Sequence, residues 1–160
     1  MKSGKILATE LNKIPVLKLV GDVRVLMSST IDNYFTNLYS RAIVEAMIVD
    51  LTETTGIDST ALGLLAKMAI QLRNRFNVKP SIISTNPDIT KIIKGMSFGI
   101  IFDIVEEPLE ADVKFGELNH VSEPENVIKQ KVIVAHQALM ALSQDNKLEF
   151  QDLVSALKNN

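Results

Sequence analysis

The stretch AMIVDL at residues 46–51 narrows the fold more than any other part of the sequence. Six positions with almost no polar interruption describe a short strand covered on both faces, as in the interior of a parallel or mixed sheet. Such a strand is central, so the flanking sequence has to provide its neighbours. After a polar bend at 52–56, apolar residues return at helical spacing from about Ser59 to Phe76, and the pattern ends near Asn77.

Strand and helix alternate on either side of this unit. Two β-leaning segments, 5–11 and 16–20, flank Asn12-Lys13-Ile14-Pro15, whose turn chemistry joins adjacent strands. Ile31, Phe35, Leu38 and Ala42 predict a helix over 29–43, with Ser28, Ser29 or Thr30 as its cap. Residues 80–84 form another strand, and Asn86 caps a helix with Pro87 at its first position, where the missing N–H costs nothing. Gly95 to Gly99 breaks that helix, and part of 100–106 is strand. The alternation predicts an α/β sandwich built on a mixed, mostly parallel sheet of four to five strands with helices.

From 107 to 125 the sequence is polar and carries Pro108 and Pro124, as a linker does. Beyond it, Val127, Val132, Val134, Ala135, Leu139 and Leu142 fit a helix, and Asn146-Lys147-Leu148-Glu149 resembles a capping box opening a last one. The expected organisation is a domain over 1–110, a linker over 111–124 and an extension of about two helices over 125–160.

Composition removes several function classes. With 17 Lys and Arg against 19 Asp and Glu, the chain lacks the basic surplus that a nucleic-acid backbone requires. The absence of cysteine excludes a disulfide framework and thiolate metal sites. No apolar run approaches a membrane span and the start shows no signal-peptide core, which predicts a cytoplasmic protein without membrane insertion. Neither G-x-x-x-x-G-K-[ST] nor G-x-G-x-x-G occurs, so no phosphate-cradling loop is present and no cofactor is expected.

The junction Asp58-Ser59 between bend and helix carries three readings: a cap, a catalytic nucleophile, and a serine modified by another protein. As a cap, either side chain accepts from the first-turn N–H groups, and Asp58 complements the positive end of the helix. As a nucleophile, Ser59 needs a base within reach, but His120 and His136 both lie in the C-terminal part and the G-x-S-x-G elbow is missing. The two histidines lack a matching carboxylate pattern for a metal, and Asp50, Glu53 and Asp58 suit turn hydrogen bonds better than a cation. No catalytic residue is assigned. As a modified serine, Ser59 sits where added phosphate oxygens meet a helix N-terminus. It is expected to be accessible, with no histidine nearby.

The helix that follows is more apolar than a surface helix requires. Leu62, Leu65, Ala66, Ala69 and Leu72 form a stripe that covers a sheet. A second stripe, Ala61, Leu64 and Met68, is either buried by the first or the C-terminal helices or serves as a docking patch beside Ser59.

The ordered run AMIVDLTETTGIDSTALGLL at 46–65 resembles the signature of STAS domains, the family of bacterial anti-sigma factor antagonists: an apolar strand ending in Asp-Leu, a bend, then Asp-Ser-Ser-Gly-Leu-Gly opening a helix. Leu19-Val20-Gly21-Asp22 upstream and the strand, helix and glycine from Ile82 to Gly95 extend the resemblance over about 5–107. It implies an STAS-like fold and a non-enzymatic partner-switching regulator of transcription. Ser59 maps onto the serine phosphorylated in the family, with Thr60 as the alternative acceptor, because Thr60-Ala61 replaces the usual Ser-Gly. Asp22 and Asp58 map onto acidic positions of the partner surface, which would continue through Ser59, Thr60, Ala61, Leu64 and Met68. The implied partners are an anti-sigma factor that is also a serine kinase of the histidine-kinase-like ATPase type, and a serine phosphatase. The tail lies outside the resemblance and suits a lid, a homodimer contact or a site for a dedicated partner. The alternative function is a constitutive STAS scaffold or accessory subunit of a larger signalling or transport complex, without a phosphoswitch.

Overall fold

The structure is a computed structural model, and it describes residues 4–110 and 113–160. Strand β1 (Lys5–Leu11) and strand β2 (Ile14–Val23) form the opening antiparallel hairpin. Its turn is tighter than expected: Asn12 and Lys13 alone make it, with φ of 51° and 69°, a left-handed pair whose twist matches the flanking strands. Pro15 therefore sits inside β2, opposite Glu10.

Helix α1 (Ser28–Tyr39) follows a 3-10 turn at Val25–Met27. The turn feeds straight into the helix, so Met27 occupies the cap position without a side-chain bond, and Ser28, Ser29 and Thr30 are buried inside the first turn. The expected hydroxyl cap does not form. The central strand is β3 (Ile48–Asp50), parallel to β2 on one side and to β5 (Ser81–Ile83) on the other. Its last residue is a buried aspartate, tolerated because Asp50 Oδ1 accepts from Thr52 N at 2.8 Å.

The bend after β3 contains a strand that alternation does not reveal, β4 (Thr54–Ile57), parallel to the end of β2 with a register shift between Gly21 and Asp22. Helix α2 (Ser59–Phe76) has the predicted bounds and ends at Asn77 in a left-handed conformation. Helix α3 (Pro87–Gly95) has Asn86 as cap, accepting from Asp88 N at 3.0 Å. Strand β6 (Asp103–Val105) pairs with β5 in parallel, and β7 (Gly116–Glu117), within the expected linker, pairs antiparallel with β1.

Among the described residues the sheet thus has seven strands in the order β6-β5-β3-β2-β1-β7, with β4 branching from β2. It is mixed and mostly parallel as predicted; the extra strands are the short β4 and β7. Two helices follow, α4 (Glu125–Met140) and α5 (Gln144–Lys158). Ser143, not Asn146, caps α5, accepting from Asn146 N at 3.1 Å. Asn146 is buried, and its amide donates to the carbonyls of Met96 and Leu139, both at 2.9 Å. One hydrophobic core takes in β2, β3, α1, α2 and α3 together with Ala135, Leu139, Leu142 and Phe150 of the C-terminal hairpin.

Candidate functional site

The start of α2 is organised by one carboxylate. Asp58, in extended conformation, places Oδ1 2.9 Å from Ala61 N and Oδ2 2.8 Å from Val25 N. A single side chain therefore caps α2 and ties it to the turn that leads out of β2. Asp58 N donates to Val23 O at 3.1 Å, which fixes the capping residue against β2. The choice between Asp58 and Ser59 as cap falls to Asp58, and Ser59 becomes the first helical residue.

Beside it, β4 brings Gly56 opposite Asp22. A Cβ at position 56 would lie 2.6 Å from Asp22 Oδ1, so a side chain there would displace the carboxylate that Arg24 Nε donates to at 2.7 Å. Asp22, Asp58 and Ser59 are all half-buried at this end of the sheet.

Ser59 has a partner that linear spacing hides. Its Oγ lies 2.8 Å from Nε2 of His136, in α4. The expectation of a serine with no histidine nearby is overturned, because α4 packs along α2 and carries to Ser59 a residue 77 positions away. His136 Nδ1 is 2.7 Å from the carbonyl oxygen of Val132, one turn earlier in α4. A carbonyl accepts and cannot donate, so Nδ1 carries hydrogen, and in the tautomer this selects Nε2 accepts from the Ser59 hydroxyl. The ring of Phe150 packs against the buried imidazole edge-on, with centroids 5.0 Å apart.

A serine donating to histidine is half of a nucleophile and base pair. Here the group behind the histidine is a neutral carbonyl of its own helix, which orients the ring but supplies no charge to stabilise an imidazolium as a carboxylate does. The arrangement is built as a contact between helices. His120, the other histidine, is exposed in the segment before α4.

The second apolar stripe of α2 is not a surface. Ala61, Leu64 and Met68 are 0%, 1% and 2% exposed, and Thr60 is buried as well. Helix α4 packs along α2, helix α1 packs on it as well, and with the stripe buried the docking-patch alternative gives way. Helices α2 and α4 come close at Gly63, where a Cβ would lie 2.2 Å from the carbonyl oxygen of Ala135. Along one edge of the contact Leu64 lines a groove with Val127, Lys131 and Val134 of α4.

An ionic clamp closes that edge. Asp32 of α1 accepts from Lys67 of α2 at 3.1 Å and from Lys131 of α4 at 2.6 Å. Burial works to raise the Asp32 carboxyl, but the two ammonium groups more than offset it and leave the group below its ordinary 3.8. A carboxylate depressed in the folded state stabilises above its unfolded value, and that stabilisation disappears as pH falls through the folded value. Hairpin docking is therefore expected to weaken as pH drops below 3.8. Hydrogen exchange of α4 measured down a pH series checks this, and Asp32→Asn should dock weakly at neutral pH and lack the acid step. An identical acid profile in that variant would reject the clamp.

Sequence reasoning identified Asp22, Asp58 and Ser59 but missed His136, Asp32, Lys131 and the role of Gly63. One signal was present: a glycine flanked by leucines inside a helix marks a close approach of another backbone. Among the described residues no three His, Asp or Glu side chains converge to hold a metal ion, and no helix is long and apolar enough to cross a membrane.

A family model of the STAS domain matches residues 5–115, so α4 and α5 lie beyond the match. No curated protein matches the sequence. Among solved structures, the anti-sigma factor antagonist SpoIIAA in its unphosphorylated form is 15% identical with a TM-score of 0.52, over 64% of this chain and 87% of that one. A candidate anti-sigma factor antagonist from Thermotoga maritima is 11% identical with a TM-score of 0.52, over 62% and 85%. The Bacillus cell fate determinant SpoIIAA in its phosphorylated form is 16% identical with a TM-score of 0.51, over 63% and 90%. At these identities the likeness is one of fold.

Proposed function

This chain belongs to the STAS domain family, and we propose that it serves as an anti-sigma factor antagonist, a non-enzymatic cytoplasmic partner-switching module. In this reading the unphosphorylated chain binds an anti-sigma factor that is also a serine kinase of the histidine-kinase-like ATPase type. Phosphorylation of Ser59 releases it, and a serine phosphatase resets the switch. Asp22, Asp58 and Ser59 form the reachable part of the partner surface. Thr60, Ala61, Leu64 and Met68 are buried in the folded chain and contribute once the helices packed over them give way. Thr60, buried where Ser59 is half-exposed, is the lesser acceptor. The domain boundary near residue 110 and a homodimer through the tail belong to the same proposal.

The observation that carries the reading is the position of Ser59. Asp58 takes the capping role, which leaves the hydroxyl of Ser59 at the first position of an 18-residue helix with no acidic side chain in its first turn. A phosphate there meets the positive helix end and adds about two negative charges to whatever surface is built around it.

Ser59→Ala and Ser59→Asp provide the test. The Ala variant is expected to hold the kinase partner permanently. The Asp variant is expected to bind roughly 10- to 100-fold more weakly, or about 1.4–2.8 kcal/mol. Equal binding by both, with no phosphate on Ser59 or Thr60 by mass spectrometry, would overturn the switch. That outcome would favour the second reading, a constitutive STAS scaffold or accessory subunit, which the commitment of the Ser59 hydroxyl to His136 supports.

A further inference from the structure

The α4–α5 hairpin lies outside the residues that match the family, yet it makes within one chain the contact that the switch reading gives to a partner. It lines a groove with Leu64, touches the backbone at Gly63, and ends the contact on the Ser59 hydroxyl. We propose that the hairpin is a lid latched by unmodified Ser59, so that a docked α4 and a phosphate on Ser59 exclude each other. The proposal rests on the reading of Ser59 as a modified serine, and deepens it.

The reason lies in the bond itself. Transfer of a phosphoryl group from a nucleoside triphosphate forms the Oγ–P bond, breaks the bond to the departing nucleoside diphosphate and releases the hydroxyl proton to solvent. That proton is the one shared with His136 Nε2. With that proton gone the hydrogen bond from Ser59 to Nε2 is lost, and a phosphorus with three oxygens has to be placed on an Oγ that lies 2.8 Å from the imidazole. The ring cannot turn aside within the docked hairpin, because Nδ1–H is held by Val132 O and one edge by Phe150. In the lid, the crowding is relieved as α4 moves off α2.

Coupling of this kind is reciprocal. Whatever factor the phosphate takes from hairpin docking, the docked hairpin takes from phosphorylation of Ser59. A partner that binds through α2 first has to lift the lid, and in doing so it exposes the hydroxyl it modifies. The same substitution of charge for hydroxyl that breaks the internal contact breaks the external one.

The test uses the full-length chain with phosphoserine placed at position 59 during translation, alongside the unmodified chain and Ser59→Ala. Hydrogen exchange is followed by mass spectrometry over α4 and α5 and, for comparison, over β2 and β3. The phosphoserine chain is expected to exchange about 5- to 150-fold faster in α4 and α5, with β2 and β3 unchanged. Ser59→Ala loses the hydrogen bond without gaining charge and should show a smaller rise in the same helices. Equal protection of α4 in the phosphoserine and unmodified chains overturns the lid. Loss of protection shared equally by β2 and β3 also overturns it, because the hairpin would then be inseparable from the core. Failure of the switch reading looks different: the lid opens in this experiment while Ser59 is never found phosphorylated in cells.

Discussion

Gly63→Val is expected to detach the C-terminal hairpin from a domain that otherwise stays folded. A Cβ at this position meets the carbonyl oxygen of Ala135 at 2.2 Å and its Cβ at 2.7 Å. A carbonyl in the middle of a helix cannot rotate away as the end of a side chain can, so α4 has to move as a body. Overpacking of a core costs up to about 3 kcal/mol when side chains can adjust, and here the obstacle is backbone. The variant should bind an apolar dye through the uncovered Leu64 stripe, become sensitive to protease between β7 and α4, and unfold in two steps. Gly63→Ala is the more pointed form of the test. In an isolated helix, replacing glycine by alanine stabilises by about 1 kcal/mol, so a loss of stability at this position can come from the helix crossing alone. Gly95, which has nothing within 4 Å of a built Cβ, is the matched control. A Gly63→Val chain with native melting and no dye binding would show that the crossing is not this tight.

Asp58→Ala is expected to cost about as much by a different route. It removes the cap of α2, worth about 1 kcal/mol, and leaves the Val25 N–H without its partner, which adds about 1–3 kcal/mol when the group stays away from water. Asp58→Asn separates the two losses. The amide oxygen can still accept from Ala61 N, but its NH2 group cannot accept from Val25 N, so the Asn variant should keep the cap and lose the tie. Chemical denaturation is the measurement, with Ala the weaker of the two variants by about 1 kcal/mol. Ala and Asn variants of equal stability would mean that Asp58 does not perform both tasks.

The parts of the fold written in local pattern were legible. Helix α2 could be bounded from its stripe and from Asn77, α3 from Asn86-Pro87, and β3 from its apolar run, because each signal lies within the element it describes. What could not be seen depends on pairing at a distance. Thr54-Thr55-Gly56-Ile57 has no alternation, and becomes a strand because β2 offers it hydrogen bonds after the shift at Asp22. Gly116 and Glu117 are a strand solely through β1. Asn146 looked like a cap because Glu149 follows three residues later, but its amide is consumed by Met96 and Leu139. The site divides in the same way. Asp58 and Ser59 announce themselves at a helix start, whereas His136 reaches Ser59 through the α2–α4 crossing, and nothing near position 136 marks it as a neighbour of position 59.

The hairpin packed on α2 is also made after the sheet and the helix that it meets. At roughly 5–20 residues per second, synthesis from Val105 to Lys158 takes about 3 to 10 s. During that interval the sheet and α2 can assemble while their cover does not yet exist. Every newborn molecule therefore passes through the uncovered form once, with Ser59 bare and the Leu64 stripe open to whatever protein is near the ribosome. If the switch operates as proposed, a kinase that meets the chain there would mark it before the cover closes and one that arrives later would have to compete with it, so the age of a molecule would become part of the signal it carries.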